Sequence, residues 1–212
     1  MRISLTGPSG SGKTTLAEFI TEKYPQLKFK SNSAYNVISE AQKKELKAKY
    51  GYEGTGHRNV IRLSNINPDF GLAFQSCLLS NRILGFRDED NIITDRCFID
   101  NAAYLLDQCG VFQPDEVIEE YITRAALATA ELIDLVIWVR VCNPKDLGIE
   151  DNGSRVNNWY YQHKMDAVFD YMINKNEQFS QCNTKVLVLN QWDLEWRKEM
   201  ICNAIDNLYG IK

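Results

Sequence analysis

A chain of 212 residues with 44% hydrophobic and 25% charged residues has the mixture of an ordinary globular protein, and the length to bury a core without crosslinks, which excludes disordered and fibrous classes. A net charge of −4 gives no global attraction for nucleic acid. No apolar run approaches the ~20 residues of a membrane helix, so no membrane partner is expected.

Met1 leads directly into RISLTG, without a basic and apolar leader, and the six cysteines, Cys77, Cys97, Cys109, Cys142, Cys182 and Cys202, form no CxxC pair. Reduced cysteines and a cytoplasmic location are the expectation. Short apolar runs at 2–7, 27–31, 91–95, 135–141 and 185–190 read as strands, and amphipathic segments at 13–23, 34–49, 69–86, 99–109, 115–132, 157–175 and 194–208 read as helices. Pro68-Asp69 and Pro114-Asp115 suit helix starts, where proline costs little and an acid meets the positive end of the dipole. The alternation predicts an α/β chain, a three-layer α/β/α fold with a five-stranded parallel sheet, as a single domain over 1–212. AQKKELKAKYGYEGTGHRNVIR gathers Lys43, Lys44, Lys47, Lys49, Arg58 and Arg62; it reads as a solvated helix face followed by a loop, or as a local basic surface. NPKDLGIEDNGSRVN (143–157) has the Gly, Asn and Asp content of a candidate lid.

GPSGSGKT (7–14) matches GxxxxGK[ST], follows an apolar strand and opens an amphipathic helix, which is the context that motif requires. It marks a P-loop NTPase fold that binds ATP. Gly7, Ser9, Gly10, Ser11, Gly12, Lys13, Thr14 and Thr15 would cradle the phosphates, with Lys13 reaching the β- and γ-phosphates and Thr14 ligating Mg²⁺.

NIITD (91–95) ends an apolar strand on an acid, and strand carboxyl ends line the crevice of such sheets. Asp95 is therefore placed to hold Mg²⁺ or to accept a proton from an attacking hydroxyl. The next position, where motor ATPases usually carry a second carboxylate to activate water, is Arg96. An arginine cannot be a base at neutral pH, but its fork suits a phosphate oxygen. This favours transfer of the phosphoryl group over hydrolysis.

The DR dipeptide followed by Asn101, Ala103 and Tyr104 resembles the thymidylate kinase group of P-loop nucleoside and nucleotide kinases. FQSCLLSNR (74–82), with an arginine seven positions after the glutamine, resembles the base-reading helix of deoxynucleoside kinases. The resemblance implies that Phe74 stacks on a base, that Gln75 reads its edge, and that Arg82 belongs to the same site. It implies too that Arg155, at the end of the candidate lid, stabilises the transferring phosphoryl group together with Lys13. Two family features are missing. SNSAYN (31–36) offers no carboxylate where deoxynucleoside kinases place a glutamate base, and there is no FxREP arginine, for which Arg58 or Arg62 could substitute. A base is then sought in Asp95 or Asp100. Each position also has a plain structural role open to it: a strand-end acid can cap a helix, and Phe74 can simply fill a core. NQWD (190–193) resembles a guanine-reading NKxD motif with Gln191 for lysine; a loop against adenine is the preferred reading.

The expectation is an ATP- and Mg²⁺-dependent kinase acting on a nucleoside or nucleotide, a pyrimidine deoxynucleotide first, as a monomer or homodimer. The catalytic set is Lys13, Asp95, Arg96 and Arg155; the substrate set is Arg58, Arg62, Phe74, Gln75, Arg82 and Arg96; the metal set is Thr14 and Asp95. Two alternatives stand beside it: a kinase acting on 5-hydroxymethyluracil within DNA, as in the thymidylate-kinase-like proteins of some bacteriophages, and a regulatory P-loop ATPase switch without an acceptor.

Overall fold

Strands covered on both faces are mainly apolar, and those at the centre of this sheet are buried along nearly their whole length, with Ser4, Thr6 and Thr94 as buried polar positions. The computed structural model describes residues 1–54, 56–142 and 158–210. It holds one five-stranded sheet of β1 (Arg2–Thr6), β2 (Lys28–Lys30), β3 (Ile92–Thr94), β4 (Leu135–Val139) and β5 (Lys185–Leu189), in the order β2-β3-β1-β4-β5. Every pairing is parallel, with Arg2 opposite Ile92 and Ile3 opposite Leu135. The expected three-layer α/β/α P-loop fold is the fold observed.

Strand alternation divides the core. Ile3, Leu5, Ile93, Leu135, Ile137 and Val139 pack against α1 (Lys13–Lys23) and, at the far end of the chain, the C-terminal helix (Leu194–Tyr209). Ile92, Val136 and Trp138 face the other way. They meet side chains from α5 (Pro68–Arg87), α6 (Phe98–Cys109), α7 (Asp115–Leu132) and α8 (Trp159–Asp170). Pro68 and Asp69 open α5, with the Asn67 side chain accepting from the Asp69 amide, and Asp115 opens α7 directly after Pro114.

The structure departs from the sequence expectation in the segments between β2 and α5. The helix expected over 34–49 is two helices, α2 (Ala34–Val37) and α3 (Glu40–Tyr50). The break is a capping box in which the Ser39 side chain accepts from the Gln42 amide and the Gln42 side chain accepts from the Ser39 amide. The loop expected after residue 50 is instead largely α4 (Gly56–Ile66), whose Val60 is buried with Ile38, Leu46, Tyr52, Phe70, Phe74 and Leu78 in a third cluster. Farther on, α8 stops at Asp170, a wide π turn follows at Tyr171–Lys175, and α9 (Glu177–Ser180) precedes β5; α10 is the helix Leu194–Tyr209. No helix among the described residues is long and apolar enough to cross a membrane, and the six cysteines are free thiols.

Phe98 starts α6 fully buried, its ring 5.1 Å from that of Phe86. Phe98→Ala leaves a cavity where α5 and α6 meet, and an urea titration should show a loss of about 3–5 kcal/mol of stability.

Candidate active site

The P-loop is shaped by glycines that no other residue could replace. Gly7 has φ 134°, and a Cβ there would strike the Val139 carbonyl, so β1 can pass close to β4 only through glycine. Gly12, at φ 94°, turns the chain into the first turn of α1. Lys13 is buried and donates to the Gly7 carbonyl at 2.8 Å and to Ser11 Oγ at 3.3 Å. Ser9, Gly10, Gly12, Lys13, Thr14 and Thr15 line one cavity of about 430 Å³, a volume suited to a small ligand. Gly7 and Ser11 stand behind it and contribute carbonyls, to Lys13 and Arg96 from Gly7 and to Arg197 from Ser11.

The DR segment enters the same cavity just beyond β3. The Asp95 carboxylate accepts from the Asn32 amide through Oδ1 at 2.8 Å, and its Oδ2 has no hydrogen-bond partner among the described residues. Asp95 is the one carboxylate among the described residues lining the cavity; Ser33 and Ala34 line it where a glutamate was missing from SNSAYN. Among the described residues, the Arg96 side chain makes its hydrogen bonds through a single nitrogen: Nη1 donates to Gly7 O at 3.1 Å, to Asp100 Oδ1 at 2.8 Å and to Tyr104 Oη at 3.3 Å. Its Nε and Nη2 remain available to an anion in the cavity, which Arg96 also lines. Burial alone would lower the Arg96 pKa, but Tyr104 and Asp100 outweigh it and the net shift is upward, so the guanidinium keeps its charge.

Asp100, the other candidate base, is ruled out by its surroundings. It is fully buried and does not line the cavity. Its Oδ2 accepts from Thr6 Oγ1 at 2.7 Å and from the Cys97 amide at 2.9 Å, and its Oδ1 is held by Arg96. It caps α6 and orients Arg96. Burial, reinforced by Asp100, pushes the Cys97 thiol up to about 12, so that residue is a neutral filler at the start of α6.

Opposite the P-loop, Phe74, Gln75 and Arg82 all line the cavity from α5. Phe74 belongs at once to the third cluster, edge-on to Tyr52 at 5.4 Å, so the core reading and the cavity reading of that residue both hold. Arg82 is buried and donates to the Asn32 carbonyl and to Asn101 Oδ1, each at 2.6 Å, and it makes no ion pair among the described residues. Burial draws its pKa below the ordinary arginine value, although an arginine stays protonated at neutral pH. Arg58 and Arg62 do not join this site. Both are exposed on α4, and neither lines the cavity, because the segment folds as a helix with Val60 and Ser64 turned inward. Arg155 and the candidate lid 143–157 lie outside the described residues.

One residue that holds the P-loop in place gave no signal in the sequence. Arg197 on α10 is buried and donates to three backbone carbonyls: Ser11 at 2.9 Å, Arg140 at 3.2 Å and Gln191. It ties the P-loop to the end of β4 and to the NQWD loop, with its guanidinium 5.3 Å from the centre of the Trp192 ring. Asp193 of that loop caps α10 by accepting from the Trp196 amide at 2.7 Å, which commits one of its oxygens to the helix instead of a guanine edge.

A family profile described as AAA domain matches residues 2–197. The chain is a member of the AAA-domain family. No curated protein matches it in sequence. Among solved structures, a thymidylate kinase from Candida albicans is similar with a TM-score of 0.63 at 15% identity, over 100% of this chain and 93% of that one. A deoxyadenosine kinase from M. mycoides with bound dCTP is similar with a TM-score of 0.61 at 16% identity, over 98% of this chain and 100% of that one. At such identities the likeness is one of fold, and the fold of this AAA-domain protein is that of P-loop nucleoside and nucleotide kinases. The family description names no acceptor, so the question of where a phosphate goes passes to the cavity.

Asp95 and Asp100 should separate in a denaturant titration. Asp100→Ala strands Arg96, Thr6 and the Cys97 amide in a buried setting and should cost about 3–5 kcal/mol. Asp95→Asn keeps the acceptor for Asn32 and should change stability by less than about 1 kcal/mol.

Proposed function

We propose that this protein is a Mg²⁺-dependent kinase that passes the γ-phosphate of ATP to a nucleoside or nucleotide, with a pyrimidine deoxynucleotide as the first candidate. The observation that carries the reading is the shared cavity: the P-loop, the Asp95 carboxylate and the Phe74/Gln75/Arg82 wall all line it. A hydrolase needs room for water beside the γ-phosphate, whereas an extended cavity with an aromatic and amide wall suits a second organic substrate. The similarity in fold to structures of a thymidylate kinase and a deoxyadenosine kinase supports the same class.

The P-loop amides and the N-terminus of α1 would hold the β-phosphate, and Lys13 would exchange its bond to the Gly7 carbonyl for phosphate oxygens. Oxygen donors suit a hard cation, and no group of three or more metal-binding side chains occurs among the described residues. A site made of the Thr14 hydroxyl, the Asp95 carboxylate, phosphates and water fits that pattern. Mg²⁺ bound there would neutralise the charge on the transferring phosphoryl group. Where the acceptor is a nucleoside, Asp95 Oδ2, which has no partner among the described residues, would accept the proton of the attacking hydroxyl; a monophosphate attacks through an oxygen that is already ionised, and Asp95 would then serve the cation alone. Arg96 Nε and Nη2 would hold the acceptor or transferred phosphate, and Arg155 of the 143–157 segment is assigned the charge of the transition state. The adenine would lie towards the NQWD loop that Arg197 fixes to the P-loop.

A panel of acceptors incubated with γ-labelled ATP tests the proposal: thymidine, dTMP, deoxycytidine, dCMP, nicotinamide riboside and DNA containing 5-hydroxymethyluracil. Label in a free nucleoside or nucleotide supports it, label only in the DNA moves the assignment to DNA modification, and acceptor-independent phosphate release points to a regulatory ATPase. With the accepted substrate, Asp95→Asn should lower kcat by about 10²–10⁴-fold while ATP still binds, as checked by equilibrium titration of both proteins.

A further inference from the structure

Two side chains from the far half of the chain hold the P-loop from behind. Gln162 on α8 is buried and donates through Nε2 to the Ser9 carbonyl at 3.0 Å, and Arg197 on α10 is buried and donates through Nη1 to the Ser11 carbonyl at 2.9 Å. Neither lines the cavity, whereas Ser9, Gly10 and Gly12 do. Both side chains are themselves held. Asp166, one turn beyond Gln162, accepts from the Arg140 guanidinium at 2.7 Å and from the Val141 amide at 3.2 Å, which fixes α8 to the end of β4. Arg197 donates to the carbonyls of Arg140 and Gln191 with its other nitrogens.

A trans peptide unit is planar, and its C=O and N–H point in opposite directions. The carbonyl drawn back to Gln162 therefore sends the N–H of the same unit, that of Gly10, forward to the cavity side. The carbonyl drawn back to Arg197 does the same for the N–H of Gly12. Neither amide finds an acceptor among the described residues, so two donors stand ready in the loop. With φ at 81° and 94°, Gly10 and Gly12 have the backbone freedom to turn these units over, and a restraint on the carbonyls decides which way they face.

The two clamps are poorly explained as supports for the fold alone. The Ser9 carbonyl can only accept, so Gln162 must turn its NH₂ to it and its Oε1 away. That oxygen is buried and has no hydrogen-bond partner among the described residues. A buried orphan acceptor costs stability, and an apolar side chain at 162 would avoid the cost. Arg197 brings a buried positive charge that no carboxylate pairs with among the described residues, and its Nη1 lies 3.6 Å from where a Cβ on Gly12 would sit. A polyphosphate in the loop would give this charge its counter-ion.

We propose that Gln162 and Arg197 are positioning residues that preform the phosphate cradle, aiming the Gly10 and Gly12 N–H groups at a di- or triphosphate before it arrives, with Arg197 adding its charge from behind. Neither side chain touches the ligand. Donors fixed in advance lose little to reorganisation when the anion binds, and that is the gain the clamps supply.

The proposal rests on the P-loop binding phosphate, as the kinase reading requires, and is independent of the acceptor. The probe is inorganic pyrophosphate with Mg²⁺, titrated calorimetrically, beside a urea titration of each protein and the amide spectrum of ligand-free protein labelled with ¹⁵N-glycine. Gln162→Met keeps the shape of the side chain and removes the donor. Pyrophosphate should bind about tenfold more weakly, the urea midpoint should stay at or above the native value, and the Gly10 amide should shift while that of Gly12 stays. Arg197→Lys keeps the charge but cannot reach all three carbonyls; it should weaken pyrophosphate and shift Gly12 instead of Gly10. Gln162→Met alone decides the matter if Arg197→Lys does not fold. Unchanged affinity in Gln162→Met, or a loss matched by a fall in its urea midpoint, is what a purely structural side chain predicts; either would overturn the inference and leave the kinase reading in place. A native chain that does not bind pyrophosphate would overturn both. Pyrophosphate binding that weakens as stated, with no phosphoryl transfer to any acceptor, would support the inference and remove the kinase reading.

Discussion

The site depends on one buried carboxylate. Asp100 collects Thr6 from the end of β1, the Cys97 amide at the start of α6 and the Arg96 guanidinium, and through Arg96 it reaches the Gly7 carbonyl at the root of the P-loop. Removing a charge from water is costly unless it is paired and every lone pair is used, and here the pair is complete. The consequence is geometric. One face of Arg96 is spent on protein, so the other face has a fixed direction into the cavity. The acid that follows the strand, Asp95, keeps one oxygen without a partner among the described residues, while Asp100 does the structural work.

That division of labour was half legible in the sequence. GPSGSGKT and the DR dipeptide are contiguous patterns whose chemistry follows from residue type and spacing, and the structure brings both to the same cavity. The five strands were legible for the same reason, as apolar runs are a local signal. Phe74, Gln75 and Arg82 were visible through the resemblance of FQSCLLSNR to the base-reading helix of deoxynucleoside kinases, and a helix does place positions seven apart on one side. Asp95 and Asp100 could not be told apart, since both sit near the end of β3 and only burial distinguishes them.

The parts that escaped are those joined across the chain. Gln162 lies 153 positions from Ser9, and Arg197 lies 186 positions from Ser11, so no window of sequence contains either pair. α4 was hidden by its flanks: GYEGTG reads as a loop, and the helix that follows is short and basic on its outer side, with Val60 and Ser64 as its inward contacts. Reading that stretch as a loop is what made Arg58 and Arg62 available for the site in prospect. Once it is a helix, its buried side faces Phe70 and Phe74, and the arginines face solvent.

Arg96 in place of a second carboxylate and a wall of aromatic and amide side chains support the proposed reading, in which an organic acceptor, through a hydroxyl or a phosphate oxygen, receives the phosphate in place of water. The most direct measurement of that claim is the partition of label from γ-labelled ATP between an organic acceptor and water, with the acceptor at saturation. The account predicts that the label enters the acceptor and that inorganic phosphate stays a minor product. Release of inorganic phosphate at one rate, with or without any acceptor, would contradict it.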